Sequence, residues 1–460
     1  MKHLIWVAVA FWTLFAVVSC NRDDLSFDAP SQLLRFSKDT VFCDTVYNQV
    51  RSETYVVKVY NNEDKDVMIP KIALANGASS LYRINVDGHA GTEFTNVPLR
   101  KKDSLFVFVE IAPVANAPEA IAEDQVVFQS SAGTQQVTLL SVVQDAEFFI
   151  ESDTNPNILN NDTEWTNEKA KIIFGDLTVS EGKKLTIQEG TKVYFFKNSG
   201  MKISKNAQLN INGTLNHEVV FRGDRNDTRY DTLPKNWNGI VFEEGSLLDM
   251  NYGKLYGGTK GIEMYNSTAT ISNSIIHTFQ EYGIYGVAST IDVKNLVMNN
   301  CGNASIGIYK GGNVTLTQST IANYWELNSA MSGYGIYASN DWTDATGNTQ
   351  NGALSLNVYN TIVYGYADNM VELNPNSSST FTTNFVNCLL KYGSDATYNT
   401  VNSITNEDPQ FVHYFTQKMN LRVAENSPAK TKGSTTYSAL VPFDIVGNAR
   451  TSAPTIGAYQ

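Results

Sequence analysis

The stretch Trp237-Asn238-Gly239-Ile240-Val241-Phe242 contains a Gly-Ile pair that returns several times further along the chain. The later copies follow at intervals of 22, 22, 24 and 28 residues, at Gly261-Ile262, Gly283-Ile284, Gly307-Ile308 and Gly335-Ile336. Each pair lies in a short apolar run of roughly three to five residues between Gly, Asn and Ser turns, which indicates strands and not helices. The recurrence predicts strands that return to one position once per turn.

A second series of short strands runs out of phase with the first. Its members are the segments 273–276, 295–298, 319–322, 360–363 and 387–390, spaced by 22, 24, 41 and 27 residues. Two interleaved series with this period predict a parallel β-solenoid. We expect roughly eight coils, which at about 4.8 Å per coil make a stack close to 40 Å long.

Residues 1–20 have the pattern of a secretory signal. Lys2 precedes an apolar run from Leu4 to Val18, which is too short to span a bilayer as a helix. The run ends in small residues before Cys20, as in the lipobox of bacterial lipoproteins, whose cysteine is lipidated and becomes the mature N-terminus. Acyl chains on Cys20 would anchor the protein to a membrane. The alternative is an ordinary signal peptide in which the cysteine occurs by chance.

The segment Asn21-Arg22-Asp23-Asp24 resembles the signal that carries lipoproteins of Bacteroidetes to the cell surface. That resemblance implies an outer-membrane protein that faces the cell exterior. Removal of residues 1–20 takes away one basic residue, Lys2. The remaining chain has 33 basic and 46 acidic residues, a net charge of −13, and no basic run. Nucleic acid is therefore a poor partner.

Three cysteines remain after Cys20, namely Cys43, Cys301 and Cys388. They are odd in number and far apart, so no disulfide framework is predicted. Cys388 falls in the second series of strands, and we expect it inside the solenoid.

Residues 21–149 show a different period. Six alternating segments separated by Asn, Gly and Pro turns predict a β-sandwich: Thr40–Val46, Tyr55–Tyr60, Val67–Leu74, Ser104–Ile111, Asp124–Gln129 and Gln135–Val143. The runs 41–46, 83–88 and 103–105 resemble the Ig-like module that precedes β-helices in lipoproteins of Bacteroidetes. Residues 150–170 are rich in Asn and Asp, and we expect them to form a linker.

The segments 185–191, 209–214, 221–225 and 237–242 resemble the right-handed parallel β-helix lipoproteins of Bacteroidetes, which have a pectate-lyase-like fold. Asp408-Pro409, Ser427-Pro428-Ala429 and the ending 454–459 look like the terminal cap of such helices. The resemblance implies an all-β chain in which an Ig-like β-sandwich precedes a right-handed parallel β-helix. On this basis residues 171–405 form the helix and 406–460 its cap.

Catalytic residues are not apparent. Polysaccharide lyases on this fold use a basic residue beside clustered carboxylates, and glycoside hydrolases need two carboxylates about 5 to 9.5 Å apart. Residues 261–400 contain only twelve Asp, Glu, Lys or Arg and no Arg at all. Only Asp368 and Glu372 lie loosely together near one turn. We therefore predict no catalytic residue, metal ligand or cofactor, and keep a polysaccharide lyase or glycoside hydrolase as the alternative.

One loop is rich in charge. From Arg222 to Lys235 the chain carries seven charged residues, among them Asp224 and Arg225. One interpretation is a salt-bridged loop packed on the side of the solenoid and held by Trp237. The other is a polar ligand pocket in which the arginines meet hydroxyls or carboxylates.

The 41-residue interval in the second series indicates an insertion near Trp342. It predicts a long loop, in which Asp341 and Asp344 beside Trp342 would hold a sugar or, alternatively, only solvate a disordered segment.

The last feature is a row of tyrosines. If Ile284, Ile308 and Ile336 point inward, the next residue in each strand points outward, which places Tyr285, Tyr309 and Tyr337 one above another. Such a ladder either stabilises neighbouring coils or offers a platform for a sugar chain. The sequence thus favours a surface lipoprotein that binds glycans or another surface partner without catalysis, with the sandwich as its stalk.

Overall fold

The computed structural model describes residues 27–48, 51–114, 119–152, 154, 156–225, 229–393 and 398–460. Over these residues the regular structure is almost entirely β-strand. The chain divides into two compact units, Met1–Val143 and Gln144–Gln460, each with a hydrophobic core of its own. Cys20, the predicted lipidation site, lies outside the described residues.

The described part of the first unit contains ten strands and a 3-10 turn at Gly77–Ser79. The strands are β1 (Arg35–Phe36), β2 (Thr40–Tyr47), β3 (Tyr55–Tyr60), β4 (Val67–Leu74), β5 (Tyr82–Val86), β6 (His89–Gly91), β7 (Glu93–Leu99), β8 (Ser104–Ile111), β9 (Glu119–Ser130) and β10 (Gly133–Gln144). All six strands predicted from the sequence are present.

These strands form two five-stranded sheets, in the orders β1-β3-β8-β5-β6 and β2-β10-β9-β4-β7. The pairs with a described register are antiparallel, for example Tyr55 with Val109. Buried and outward side chains alternate along β8, which is the period that turns one face of a strand to a core. Side chains of both sheets, such as Val107 and Phe128, share that core.

The second unit contains the remaining strands. They are β11 (Ala146–Ile150), β12 (Ile158–Leu159), β13 (Thr163–Trp165), β14 (Ala170–Phe174), β15 (Asp176–Val179), β16 (Lys184–Gln188), β17 (Lys192–Phe195), β18 (Gly200–Ile203), β19 (Gln208–Asn212), β20 (Val219–Gly223), β21 (Ile240–Phe242), β22 (Leu247–Asn251), β23 (Gly253–Tyr256), β24 (Lys260–Tyr265), β25 (Thr268–Ser272), β26 (Ile275–Phe279), β27 (Tyr282–Lys294), β28 (Val297–Cys301), β29 (Ala304–Thr317), β30 (Thr320–Asn323), β31 (Tyr334–Ser339), β32 (Asp341–Thr343), β33 (Thr349–Asn351), β34 (Leu354–Tyr359), β35 (Ile362–Gly365), β36 (Val371–Asn374), β37 (Phe381–Val386), β38 (Leu389–Leu390), β39 (Thr400–Val401), β40 (Ile404–Thr405), β41 (Phe411–His413) and β42 (Asn420–Val423). Two 3-10 turns lie at Tyr230–Thr232 and Thr416–Lys418, and the helix α1 spans Thr435–Ser438.

The second unit consists mainly of two long parallel sheets. One has 11 strands, in the order β11-β14-β17-β20-β23-β26-β28-β30-β35-β38-β40, and the other has 17. The chain alternates between them, so each circuit adds one strand to the 11-stranded sheet. The sheets nearly close on one another around a shared apolar core. The predicted all-β chain with stacked parallel strands is confirmed at this level.

The stretch 150–170 is not the predicted linker. Short strands here pair in parallel with the next circuit, for example Thr163 with Leu185, and Trp165 is buried in the core. β11 likewise pairs with β14. The stack therefore starts earlier than predicted, and its 11-stranded sheet exceeds the expected eight coils.

The inward rows confirm most of the predicted register. Ile262, Ile284 and Ile336 are buried, and Ile262 pairs with Ile284. The residue that continues this row is Ile306, which pairs with both Ile284 and Ile336. The prediction that placed Ile308 there was wrong by two residues, although Ile308 is also buried because alternate side chains of a strand share a face.

Asparagines occupy the corners where the chain enters the 11-stranded sheet. Asn273, Asn295, Asn360 and Asn387 have φ between 47° and 52°, a left-handed conformation that Asn tolerates better than most residues. In the coil between them this position belongs to Gln318, not to Ser319 as predicted. The Asn273 amide also donates to the Asn251 side chain at 2.8 Å, which ties neighbouring coils together.

The C-terminal residues lie along the outer face of the 11-stranded sheet. Leu421, Ile445 and Ala458 pack against Val297 and Ala322, and Ile456 packs against Ile362 and Leu389. Residues 406–460 therefore cover the flank of several coils, where the sequence predicted a cap on the last coil. Cys388, Cys301 and Cys43 are buried and not disulfide-bonded, and burial is as expected for Cys388.

Candidate functional site

Tyr285 and Tyr337 lie in one outward row of the 17-stranded sheet. Successive strands place Glu263, Tyr285, Gly307, Tyr337 and Glu372 side by side. Tyr309 is not in this row, since it pairs with Val287, two residues further along the strand. The predicted backbone register of the ladder is therefore wrong at Tyr309, for the same reason as at Ile308.

The rings nevertheless form the ladder. The Tyr309 ring lies 4.9 Å from that of Tyr285 and 5.0 Å from that of Tyr337, centroid to centroid. Gly307 makes this possible because it has no side chain. A Cβ on Gly307 would lie 2.8 Å from the Tyr282 ring and 3.2 Å from the Tyr309 ring. The Tyr309 ring thus occupies the space over Gly307 and lies between the rings of Tyr285 and Tyr337.

Further aromatic side chains extend the ladder sideways. The Tyr282 ring lies 5.0 Å from Tyr285, the Tyr334 ring 6.1 Å from Tyr337, and the Tyr265 ring 6.3 Å from Tyr285. Together with a tryptophan described next, they form a continuous surface that we call the aromatic platform: Tyr265, Tyr282, Tyr285, Tyr309, Tyr334, Tyr337 and Trp342.

The insertion after β31 forms an antiparallel hairpin of β32 and β33, not an irregular loop. Trp342 lies on its first strand and donates its indole N–H to the Tyr285 hydroxyl at 2.9 Å. The structure therefore brings the predicted Trp342 together with the tyrosines. Asp344 instead holds the hairpin turn, because its carboxylate accepts hydrogen bonds from the Thr346 hydroxyl and the Asn348 N–H, which lower its pKa.

The platform is polar at its edges and carries little charge. Tyr282 and Tyr309 share a hydrogen bond of 2.8 Å between their hydroxyls. Burial raises the pKa of Tyr285 to about 12 and raises that of Tyr309 further, so the phenols are neutral at physiological pH. The Lys260 ammonium lies 5.0 Å from the Tyr285 ring centroid and forms an ion pair of 2.8 Å with Glu263.

The charged loop lies elsewhere, beside the 11-stranded sheet. Arg222 pairs with Asp231 at 2.7 Å and donates to the Tyr256 hydroxyl at 3.1 Å. The Arg225 guanidinium lies 4.3 Å from the Tyr230 ring centroid. These contacts agree with the salt-bridged interpretation of the loop. They do not bring Arg222, Asp224 or Arg225 to the platform.

Asp224, a further acid of this loop, is partly buried. Burial raises its pKa to about 6, against the opposing influence of the Arg222 charge. Trp237, close to the end of the loop, is buried and donates its indole N–H to the Tyr256 carbonyl at 2.9 Å. The loop is thus attached to the stack through buried contacts.

The sequence held a signal for the platform residues that spacing alone missed. The motif Tyr-Gly-Ile-Tyr occurs twice, at 282–285 and 334–337, and its first tyrosines pair with the same residue, Ala304, of the strand between them. Tyr265 and Trp342 give no such signal, because their contacts depend on ring orientation and on the hairpin. Over the described ranges, no three His, Cys, Asp or Glu side chains are grouped to hold a metal ion.

Comparisons with known proteins give little. No protein-family model and no curated protein match this chain. Among solved structures, the ASH/PapD-like domain of human CEP192 is 11% identical, with 28% of this chain and 96% of that chain covered and a TM-score of 0.18. The VesB protease of Vibrio cholerae is 9% identical over 24% and 31% of the two chains, with a TM-score of 0.17.

A family 123 glycoside hydrolase from Clostridium perfringens is 11% identical over 28% of this chain and 26% of that chain, with a TM-score of 0.19. Similarities at this level assign neither family nor function. In the part of the chain with described structure, no helix has the length and apolar character needed to cross a membrane.

Proposed function

We propose that this chain is a cell-envelope lipoprotein that binds glycans on the aromatic platform and does not convert them. The observation that carries the proposal is the ladder of Tyr285, Tyr309 and Tyr337, whose rings follow one another at 4.9 and 5.0 Å. A continuous row of half-buried rings offers an apolar surface against which the C–H faces of sugar rings pack. The ring hydroxyls supply hydrogen bonds at its edge.

The charge of the platform favours a neutral glycan. Burial raises the pKa of the Tyr285 and Tyr309 phenols, which disfavours their charged form, and the Lys260 ammonium forms an ion pair of 2.8 Å with Glu263. The Tyr337 hydroxyl accepts a hydrogen bond of 3.4 Å from the Asn374 amide, a neutral group like the tyrosines. An acidic polymer would find no excess of cations here.

Glu263 and Glu372, the two carboxylates of this row, are not spaced as a glycosidase pair. Glu263 and Glu372 are four strand steps apart, which is about 19 Å at about 4.8 Å per step. Glycosidases hold their two carboxylates about 5 to 9.5 Å apart. Glu263 also accepts hydrogen bonds from Lys260 and Tyr265, so it has no role as a free base.

The remaining parts of the proposal concern placement. Residues 1–20 act as a lipoprotein signal, Cys20 carries the lipid, and the protein faces outward from the outer membrane. The first unit is an Ig-like β-sandwich that acts as a spacer, and the second is a right-handed parallel β-helix of the pectate-lyase-like class. Support comes from the lipobox-like sequence and from the sheet orders described above.

A glycan array probed with residues 21–460 tests the binding function, followed by product analysis of every glycan that is bound. We expect retention of one or more neutral glycans without shortened or unsaturated products. Retention of none would contradict the proposal. Product formation would replace binding by catalysis.

A further inference from the structure

A concavity lies on the outer face of the 11-stranded sheet, away from the platform. It has a volume of about 560 Å³ and is bordered by the sheet, by the turn at Tyr230–Thr232 and by the turn at Thr416–Lys418. The two turns contact each other, so they close one side of the pocket. The volume falls in the range of about 300 to 1,000 Å³ that is typical of sites for small molecules.

The pocket has an excess of positive charge in an acidic chain. Lys254 and Lys418 line it, and neither forms an ion pair with a carboxylate of the described residues. The acid in the lining, Asp231, is already neutralised by Arg222 at 2.7 Å. The chain as a whole carries a net charge of −12. Two lysines in one pocket that have no carboxylate partner among the described residues therefore indicate a negatively charged ligand.

A stacked pair of rings forms the floor between these charges. Tyr256 and His277 lie parallel, with centroids 4.9 Å apart and planes 6° from each other. Both are buried, and Arg222 fixes the Tyr256 hydroxyl with a hydrogen bond of 3.1 Å. The Lys254 ammonium lies 5.4 Å from the Tyr256 ring centroid, so a positive charge and an aromatic ring are adjacent in the pocket. Burial keeps His277 neutral by lowering its pKa to about 3.

We propose that this pocket binds a small molecule that carries a phosphate or carboxylate group on a polar body of about the size of a sugar. Lysine ammoniums act as point charges that bind such oxyanions. The rigid Tyr256–His277 pair provides a surface for the rest of the molecule. This site does not depend on the platform, because its lysines and rings belong to the other sheet and to the C-terminal residues.

Isothermal titration of the purified full chain with three related probes tests the proposal. The probes are glucose 6-phosphate, glucuronate and glucose, which share a sugar body and differ in charge. We expect at least one of the two anions to bind while glucose does not, and comparison of the two anions shows whether phosphate or carboxylate is recognised. Because the attraction is ionic, the affinity falls as salt is raised.

Lys254→Gln and Lys418→Gln should each raise Kd about tenfold, the loss typical of one charge-assisted contact. Lys197→Gln removes an exposed charge elsewhere on the same unit and should leave Kd unchanged. Thermal melting checks that each variant is folded. Absence of binding by both anions, equal binding of glucose, or a Kd that neither pocket variant changes would overturn the assignment.

Discussion

The Gly307→Ala substitution tests whether this glycine leaves room for the rings of Tyr282 and Tyr309. The added Cβ would lie 2.8 Å from two atoms of the Tyr282 ring and 3.2 Å from the Tyr309 ring. Carbon atoms do not approach this closely, so both rings must move outward by a few tenths of an ångström or more. They are half-buried side chains that can pivot, which limits the cost.

The expected loss of stability is therefore small. Overpacking a core costs about 1 to 3 kcal/mol, and a site at the surface lies at the lower end, about 1 kcal/mol. The unit Gln144–Gln460 is larger than most single domains, and at about 2.1 cal/mol/K of unfolding entropy per residue a loss of about 1 kcal/mol lowers its Tm by about 1.5 °C. The effect on binding should be larger in proportion, because a displaced Tyr309 ring interrupts the row between Tyr285 and Tyr337. We expect Kd for a retained glycan to rise about five- to tenfold.

Thermal melting and titration with the glycan found on the array measure both quantities. Gly393→Ala is the matched control, because a Cβ there meets no atom within 4 Å and should change neither value. Unchanged Tm and unchanged Kd in Gly307→Ala would refute the reasoning that this glycine makes room for the rings.

Three further predictions concern folding, charge and anchoring. Ile284→Asp places an unpaired charge in the stack, which costs several kcal/mol, so cooperative melting should be lost. Thr290→Asp, on the exposed side of the same strand, should melt normally. Near-native melting of Ile284→Asp would mean that this side chain does not point into the core. Asp224 has a pKa raised to about 6 when folded, so the folded state binds the extra proton and stability should fall as pH rises from about 4 to about 6, by roughly 3 kcal/mol. Asp224→Asn should lack that component of the pH dependence, and identical profiles for the two proteins would contradict it. Cys20→Ser should release the protein from membranes into the soluble fraction, and a variant that stays with the outer membrane would exclude Cys20 as the anchor.

The sequence was sufficient for the repeat because buried rows must stay apolar in every coil. Ile262, Ile284 and Ile336 therefore repeat visibly, and their burial is confirmed. The predicted strand register was wrong where two isoleucines lie two positions apart in the same strand. Ile306 and Ile308 both face inward, and the Gly-Ile pair at 307–308 matched the motif better than the residues that actually pair.

Other errors arose where local sequence gives no periodic signal. Residues 150–170 form strands of only two to five residues between polar turns, so their sequence resembles that of a linker. Only the folded structure shows that Thr163 pairs with Leu185 and that Trp165 is buried. Resemblance alone predicts a cap for the C-terminal residues, whereas their contact with Val297 and Ile362 depends on long-range packing.

The platform was predictable only in outline. Tyr285 and Tyr337 follow from strand alternation, while the position of the Tyr309 ring depends on the space above Gly307. The hydrogen bond from Trp342 to Tyr285 links residues 57 positions apart through a hairpin that the sequence did not reveal. The Arg222–Asp231 ion pair is equally a product of the folded loop.

In the proposed function, the tyrosine ladder binds a glycan and does not serve only as scaffold. The double variant Tyr285→Ala with Tyr309→Ala tests it, with Tyr359→Ala as the control, since Tyr359 stacks on Tyr437 at 4.0 Å outside the platform. Removal of the stacked pairs should cost roughly 2 to 4 kcal/mol and leave the protein folded. Kd for the glycan, measured per folded molecule, should rise beyond detection in the double variant and stay unchanged in Tyr359→Ala. Unchanged Kd in a destabilised double variant would contradict the claim and leave the ladder as scaffold.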